Sequence, residues 1–161
     1  MLEEINIPSN VIERSIPSEV FGWIVEARRR VQAFQDRWDR PQIEQFVACD
    51  YELVYQVLDW MLEARLPQGR RFLEWGCGFS AVCGLAAYLG LDVVGVEAEE
   101  ELLKQGRRLI ADWGQPAELV HGNFLPGQSE SLADDPTLPS LGHPVAECYG
   151  QIGLEVDDFA V

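Results

Sequence analysis

Two carboxylates bracket a glycine turn in this chain. Glu74 follows the apolar pair Phe72-Leu73 and stands just before Gly76-Cys77-Gly78-Phe79-Ser80, and Glu97 ends a second apolar run that begins at Val93. Gly76 and Gly78 lack Cβ atoms, so the backbone there can turn sharply and approach a ligand closely. Glu97 lies 21 residues beyond Gly76, at the expected carboxyl end of a strand, where a carboxylate can accept hydrogen bonds from ribose hydroxyls. Strand, glycine turn, helix, strand and acid, in that order, make up a nucleotide-binding βαβ unit. The spacing Gly76-x-Gly78-x-x-Ala81 also fits the dinucleotide fingerprint, and Glu97 would serve NAD(P) equally well. Glu74 separates the two cases. A pyrophosphate needs a helix N-terminus and backbone donors with no anion beside them, whereas a carboxylate two residues before the first glycine favours a cationic ligand.

The stretch Glu74-Trp75-Gly76-Cys77-Gly78-Phe79-Ser80 resembles motif I of the class I S-adenosylmethionine (SAM)-dependent methyltransferases, acid-x-Gly-x-Gly-x-(Gly/Ser/Thr), and Glu97 resembles the acid that follows it. The resemblance covers residues 43–124, about half of the chain. It implies SAM as cofactor, whose sulfonium and ammonium Glu74 would attract, and methyl transfer by in-line attack of a nucleophile on the sulfonium methyl. Gly76 and Gly78 would make room for the methionine end of SAM, and Glu97 would hold the ribose hydroxyls. Cys77 and Ala98 would pack around the cofactor. In this family the position after the third strand holds an acid or amide near the adenine, which points to Asn123; the alternative is a residue that simply tolerates a turn. The run from Phe46 to Val54 is similar to the segment before motif I that folds over bound SAM in the family, the alternative being that Phe46 and Tyr51 are plain packing residues. The acceptor implied is a small molecule or a protein, an amine or lysine side chain among the options. Such a reaction asks mainly for positioning and, with N or O acceptors, for removal of a proton; no catalytic base is visible. The competing readings are an NAD(P)-binding oxidoreductase and a non-catalytic SAM- or nucleotide-binding protein.

The wider composition narrows the partners. A net charge of −15 over 161 residues argues against autonomous binding to nucleic acid or an anionic membrane, both of which need basic surface. Every Lys and Arg lies at or before Arg108, while the remainder carries Asp112, Glu118, Glu130, Asp134, Asp135, Glu147, Glu155, Asp157 and Asp158. That acidic stretch is either a solvated surface or a rim that draws in a cationic substrate. Cys49, Cys77, Cys83 and Cys148 form no C-x-x-C pair and have no histidine at metal spacing, so free thiols in a reducing compartment and no metal are expected. No signal peptide and no apolar run near ~18 residues is present, which points to a cytoplasmic protein.

The positioning elements follow from periodicity. Residues 1–17 read as a polar, loosely attached arm broken by Pro8 and Pro17. Ile24, Ala27, Val31, Phe34 and Trp38 recur at spacings of three and four, which predicts a helix with Ser18 as N-cap that stops before Pro41. Arg28, Arg29 and Arg30 within it read as a solvated face balanced by nearby acids. Asp50 caps a second expected helix carrying Leu53, Val54, Val57, Leu58, Met61 and Leu62 and ending at Leu66-Pro67. Beyond the glycine turn a helix from Ser80 to Leu89 should lie close to the sheet through Ala81, Gly84, Ala86 and Ala87, with Gly90 at its C′ position. The next helix opens on Glu99, Glu100 and Glu101 and carries Lys104, Arg107 and Arg108 towards its end, both matching the helix dipole, with Gly114 as the stop. Residues 117–121 read as a third strand, with His121 at its end.

The expected fold is α/β: a Rossmann-like, three-layer α/β/α arrangement of the class I methyltransferase kind, preceded by two N-terminal helices. Residues 1–66 form the arm and helices packing on the core, and 67–161 the SAM-binding part. Residues 125–154 show no sustained period and read as a long loop holding the exposed His143. Val156-Asp157-Asp158-Phe159-Ala160-Val161 looks like the start of a fourth strand. The resemblance implies seven strands, so the sheet is expected to be incomplete at its C-terminus, with an edge through which the chain can self-associate.

Overall fold

The computed structural model describes residues 5–37, 46 and 48–123. Trp38, Cys148, His143, the 125–154 segment and the expected fourth strand lie outside the described residues.

Three parallel strands, β1 (Arg71–Trp75), β2 (Asp92–Glu97) and β3 (Glu118–His121), form one sheet in the order β1-β2-β3. Parallel neighbours need crossovers, and α3 (Ala81–Tyr88) and α4 (Glu100–Trp113) supply them. In this register Glu74 faces Gly95, and Glu97 faces His121. The alternation of side chains sends Phe72, Val93 and Leu119 into the core shared with the helices, and leaves Leu73, Val94, Val96 and Val120 grouped on the opposite face. All the described helices pack on the first face. The architecture is Rossmann-like α/β, with the sheet and one helical layer of the expected three among the described residues.

The N-terminal helices α1 (Ser18–Gln35) and α2 (Tyr51–Glu63) complete that layer. Val20, Ile24, Ala27, Val31 and Phe34 form the buried stripe of α1, as the spacing predicts. Ser18, however, is the first helical residue: Pro17 holds the N-cap position, and no side chain caps the end. Proline already has the φ that the junction needs, so the helix start is set one residue earlier than the hydroxyl. Asp50 caps α2 as expected, its side chain accepting from the amides of Glu52 and Leu53, each at 3.2 Å. Replacing it with alanine leaves both donors to water, and Asp50→Ala is expected to cost about 1 kcal/mol in urea denaturation. An unchanged midpoint would show that the exposed cap contributes nothing. α2 ends at Glu63, three residues short of the sequence expectation, because Arg65 turns left-handed at φ 55°.

The arm is less loose than its composition suggests. A 3-10 turn, Ser9–Glu13, buries Val11, and the buried Gln56 amide donates to the carbonyls of Ile12 and Arg14 at 2.8 Å. Arg14 also pairs with Asp59 and Glu63 at 2.6 Å. A buried amide that finds its acceptors only in this arm ties the arm down.

Glycine closes two helices. Gly90 follows α3 at φ 83°, with the Gly90 amide on the Ala87 carbonyl and the Leu91 amide on the Ala86 carbonyl. Gly114 does the same for α4 at φ 68°. The bases of α4 do not reach its last turn, which holds none. Arg107 instead donates to the Leu119 carbonyl at 3.0 Å and so links α4 to β3.

Candidate functional site

Three left-handed residues shape the turn between β1 and α3: Gly76 at φ 66°, Gly78 at φ 52° and Ser80 at φ 57°. The first two carry no Cβ penalty; Ser80 does, and it is fully buried. The Cys77 amide donates to the Val96 carbonyl at 3.0 Å, and the Ser80 amide to the Cys77 carbonyl at 2.6 Å. The turn is therefore stitched to the end of β2 and to itself before any ligand is considered.

Glu97 is the second fastening. It is buried, with Oε2 accepting from the Gly78 amide at 2.7 Å and Oε1 from the Glu99 amide at 2.9 Å. Its own carbonyl accepts from the Gly122 amide at 3.1 Å, which brings the residue before Asn123 to the same place. Each carboxylate oxygen can accept from two donors, so both retain capacity towards a hydroxyl. Ala98 lies beside Glu97, and its carbonyl accepts from His121 Nε2 at 2.9 Å. That bond fixes His121 as a strand-end residue holding its neighbour.

Glu74 points inward. Its Oε2 accepts from the Cys83 amide at 3.0 Å and from the Cys83 thiol at 2.9 Å. Cys83 is the third residue of α3, so the carboxylate sits on one of the unpaired donors of the helix N-terminus. Burial holds the Glu74 carboxyl up at about 7; the bonds from Cys83 pull it down, and the charge of Glu97 pushes it up. Two acids thus flank the glycine turn, one fastened to its exit helix and one to its middle.

The Cys77 side chain is turned into the core under the turn, so what this residue offers to a ligand is its backbone. Gly76 is exposed. Phe46 stands over Gly78, where a Cβ would lie 3.0 Å from its ring, and stacks on Phe79 at a centroid distance of 5.7 Å. Tyr51 is buried; burial, the neighbouring Cys49 and the Glu74 charge push its hydroxyl up to about 12. Phe46, Cys49 and Tyr51 therefore sit around the turn and Glu74, and packing accounts for Phe46 and Tyr51 as they stand.

The structure adds residues that the sequence reading passed over. Gly106 in the middle of α4 faces the turn: a Cβ there would collide with Ser80 Oγ and lie 3.1 Å from the Gly78 carbonyl oxygen. Its signal was a glycine inside a helical period, where alanine is favoured by about 1 kcal/mol. Gly95 likewise leaves room for the sulfurs of Cys83 and Cys77, 2.7 and 2.9 Å from where its Cβ would be. Gly84 does not bring α3 close to the sheet as expected; it faces the rings of Trp23 and Trp113, which stack at 4.0 Å. Helix-to-helix contact, and not helix-to-sheet contact, requires a small residue at that position.

No protein-family model and no curated protein matches this chain. Solved structures do resemble it. The methyltransferase PaMTH1 of Podospora anserina, in its SAH-bound form, aligns at 16% identity and a TM-score of 0.49 over 82% of this chain and 56% of that one. A SAM-dependent methyltransferase of Clostridium acetobutylicum aligns at 14% identity and 0.43, over 60% and 37%. A protein of Pyrococcus horikoshii aligns at 21% identity and 0.39, over 47% and 33%. This chain thus spans about a third to just over half of the length of those proteins. At TM-scores below 0.5 these likenesses bear no weight, and what the site can do rests on its own geometry.

Among the described residues there is no group of histidines, cysteines or acids that could hold a metal, and no helix long and apolar enough to cross a membrane.

Proposed function

We propose that this chain is the SAM-binding part of a class I SAM-dependent methyltransferase. The observation that carries the proposal is the seat of Glu74. In a dinucleotide site the N-terminus of the first crossover helix receives the pyrophosphate; here a carboxylate already holds the Cys83 amide in that first turn. An incoming phosphate would meet that anion, with Glu97 on the other side of the turn. A sulfonium or ammonium would be attracted by the same pair.

The residues present fit SAM in three respects. Glu74 gives its positive end a partner of opposite charge. The exposed Gly76 and the left-handed turn leave backbone open to close approach. Glu97 keeps a lone pair on each oxygen for ribose hydroxyls after bonding the amides of Gly78 and Glu99. Ala98 and the backbone of Cys77 would border the cofactor, and Asn123, next to the Gly122 amide that bonds Glu97, would lie towards the adenine. When bound, SAM supplies a methyl group on a sulfonium, open to displacement by a nucleophile. The chain's own contribution is to orient and to neutralise. The acceptor in this reading is a small molecule or a protein group such as an amine.

Calorimetry on the ligand-free chain tests this directly. SAM and its demethylated product should both bind, and NADH should not. Glu97→Ala should weaken SAM by about 1–3 kcal/mol, the scale of a hydrogen-bonding charged group removed from a buried site. NADH binding in the absence of any affinity for SAM would transfer the chain to the oxidoreductases.

A further inference from the structure

The bond between Glu74 and Cys83 belongs to a longer arrangement. Ser80 Oγ donates to Cys77 Sγ at 3.4 Å, Cys83 Sγ donates to Glu74 Oε2 at 2.9 Å, and the two sulfurs lie side by side against Gly95. Ser80, Cys77 and Cys83 are all buried. The arrangement exists because Gly95, directly opposite Glu74 in the β1–β2 register, has no side chain: its Cβ would stand inside the space that the two sulfurs fill. Cys83 is doubly engaged, with amide and thiol on one carboxylate oxygen. We propose that Cys83 is a positioning residue for Glu74: its thiol fixes the direction of the carboxylate and steadies the charge that a cationic ligand would meet. The second half of that statement rests on the methyltransferase reading; the first half does not.

The chemistry of the thiol suits the task. The adjoining Cys77 thiol, burial and the charge of Glu74 all raise the Cys83 thiol well above its ordinary range, so it stays protonated and remains a donor. The other groups facing Glu74 are Glu97 on β2, Cys49 just before α2 and Tyr51, the first residue of α2. Both acids repel a second charge, and burial and Glu74 raise the Cys49 thiol in turn. Arg28 on α1 acts on Cys49 and Tyr51, a step removed from Glu74. Within this surrounding, the amide and thiol of Cys83 are what favours the ionised carboxylate. A hydrogen bond to the charged form lowers a carboxyl pKa, and removing it raises the value again.

The test is a pH titration of the Glu74 carboxyl by carbon-13 NMR in the ligand-free chain, assigned by its disappearance in Glu74→Gln. In Cys83→Ala the midpoint should move up by about 0.5–1 unit, as expected for one lost hydrogen bond. Cys83→Ser restores a donor of similar size and should return the midpoint to the wild-type value or below it; this variant carries the test if the alanine form does not fold. SAM affinity measured from pH 5.5 to 8.5 should then rise with pH through each variant's own midpoint. A midpoint that ignores Cys83→Ala, or a serine variant that moves upward like alanine, overturns the positioning role even if SAM binds normally. Midpoints that shift as described in a chain with no affinity for SAM at any pH would instead sink the methyltransferase reading while the coupling stands.

Discussion

Glu74→Gln should lose about 3 kcal/mol of SAM affinity at pH 8, roughly a hundredfold, while gaining stability in the ligand-free state. The two effects share one cause. Glutamine keeps an acceptor for the Cys83 amide and thiol, so the local hydrogen bonds survive, but the charge that attracts a sulfonium or ammonium is gone. The affinity gap should narrow towards pH 6, because the wild-type carboxyl titrates at about 7 and is then mostly neutral itself. Calorimetry at both pH values checks this. Equal affinity of wild type and variant at pH 8 would remove Glu74 from the binding site.

The sign of the stability effect follows from linkage. The folded-state value of Glu74 lies above that of an unfolded glutamate, the reverse of the usual case for an acid. As pH rises from about 4.5 to 7, the unfolded chain gives up this proton before the folded chain does, so the ligand-free protein loses stability across that window. Above pH 7 the folded state carries a charge that burial disfavours. Glu74→Gln lacks this titration and should therefore be the more stable protein at pH 8, by about 1–3 kcal/mol, with the difference vanishing below about pH 4.5. Thermal denaturation of both chains at pH 5 and pH 8 measures it. A variant that is less stable at pH 8 would mean that the carboxylate is paired better than its surroundings indicate.

Gly106→Val carries the other large effect, about 3 kcal/mol of lost stability or more. The first added carbon already collides with Ser80 Oγ, and even if that hydroxyl rotates away it crowds the Gly78 carbonyl and the Phe79 backbone, which have no rotamer to yield. Either α4 or the glycine turn must move, and a moved turn breaks the Gly78–Glu97 bond. SAM affinity should then fall in the folded fraction as well. Gly22→Ala is the matching control: it lies in α1 with no atom within 4 Å of a new Cβ and no left-handed φ. It should stabilise by about 0.5–1 kcal/mol, as glycine to alanine does in an exposed helix. A Gly106→Val chain with wild-type stability and binding would show that α4 does not brace the turn.

Much of the path to this site is written locally. The 3.6-residue stripe of α1, the Asp50 cap, the Gly90 and Gly114 stops and the three short strands are each determined by a few adjacent residues, since propensity, capping and left-handed turns act over one turn of backbone. The glycine turn and the two acids were legible for the same reason: their spacing is a property of the chain. Which way an acid points is not. The register that sets Glu74 against Gly95 opens a gap for two sulfurs, and one of them turns the carboxylate onto the start of α3; these contacts join residues from different elements. Gly106 and Gly84 carry the same lesson, since a missing side chain gains its meaning only from the partner brought against it, here Ser80 for one and two tryptophans for the other. Sequence determined that two carboxylates flank a turn able to receive a ligand. Tertiary packing decided that one of them already occupies the helix end where a phosphate would go, because only the folded core brings strand, helix and thiol together and takes them out of water.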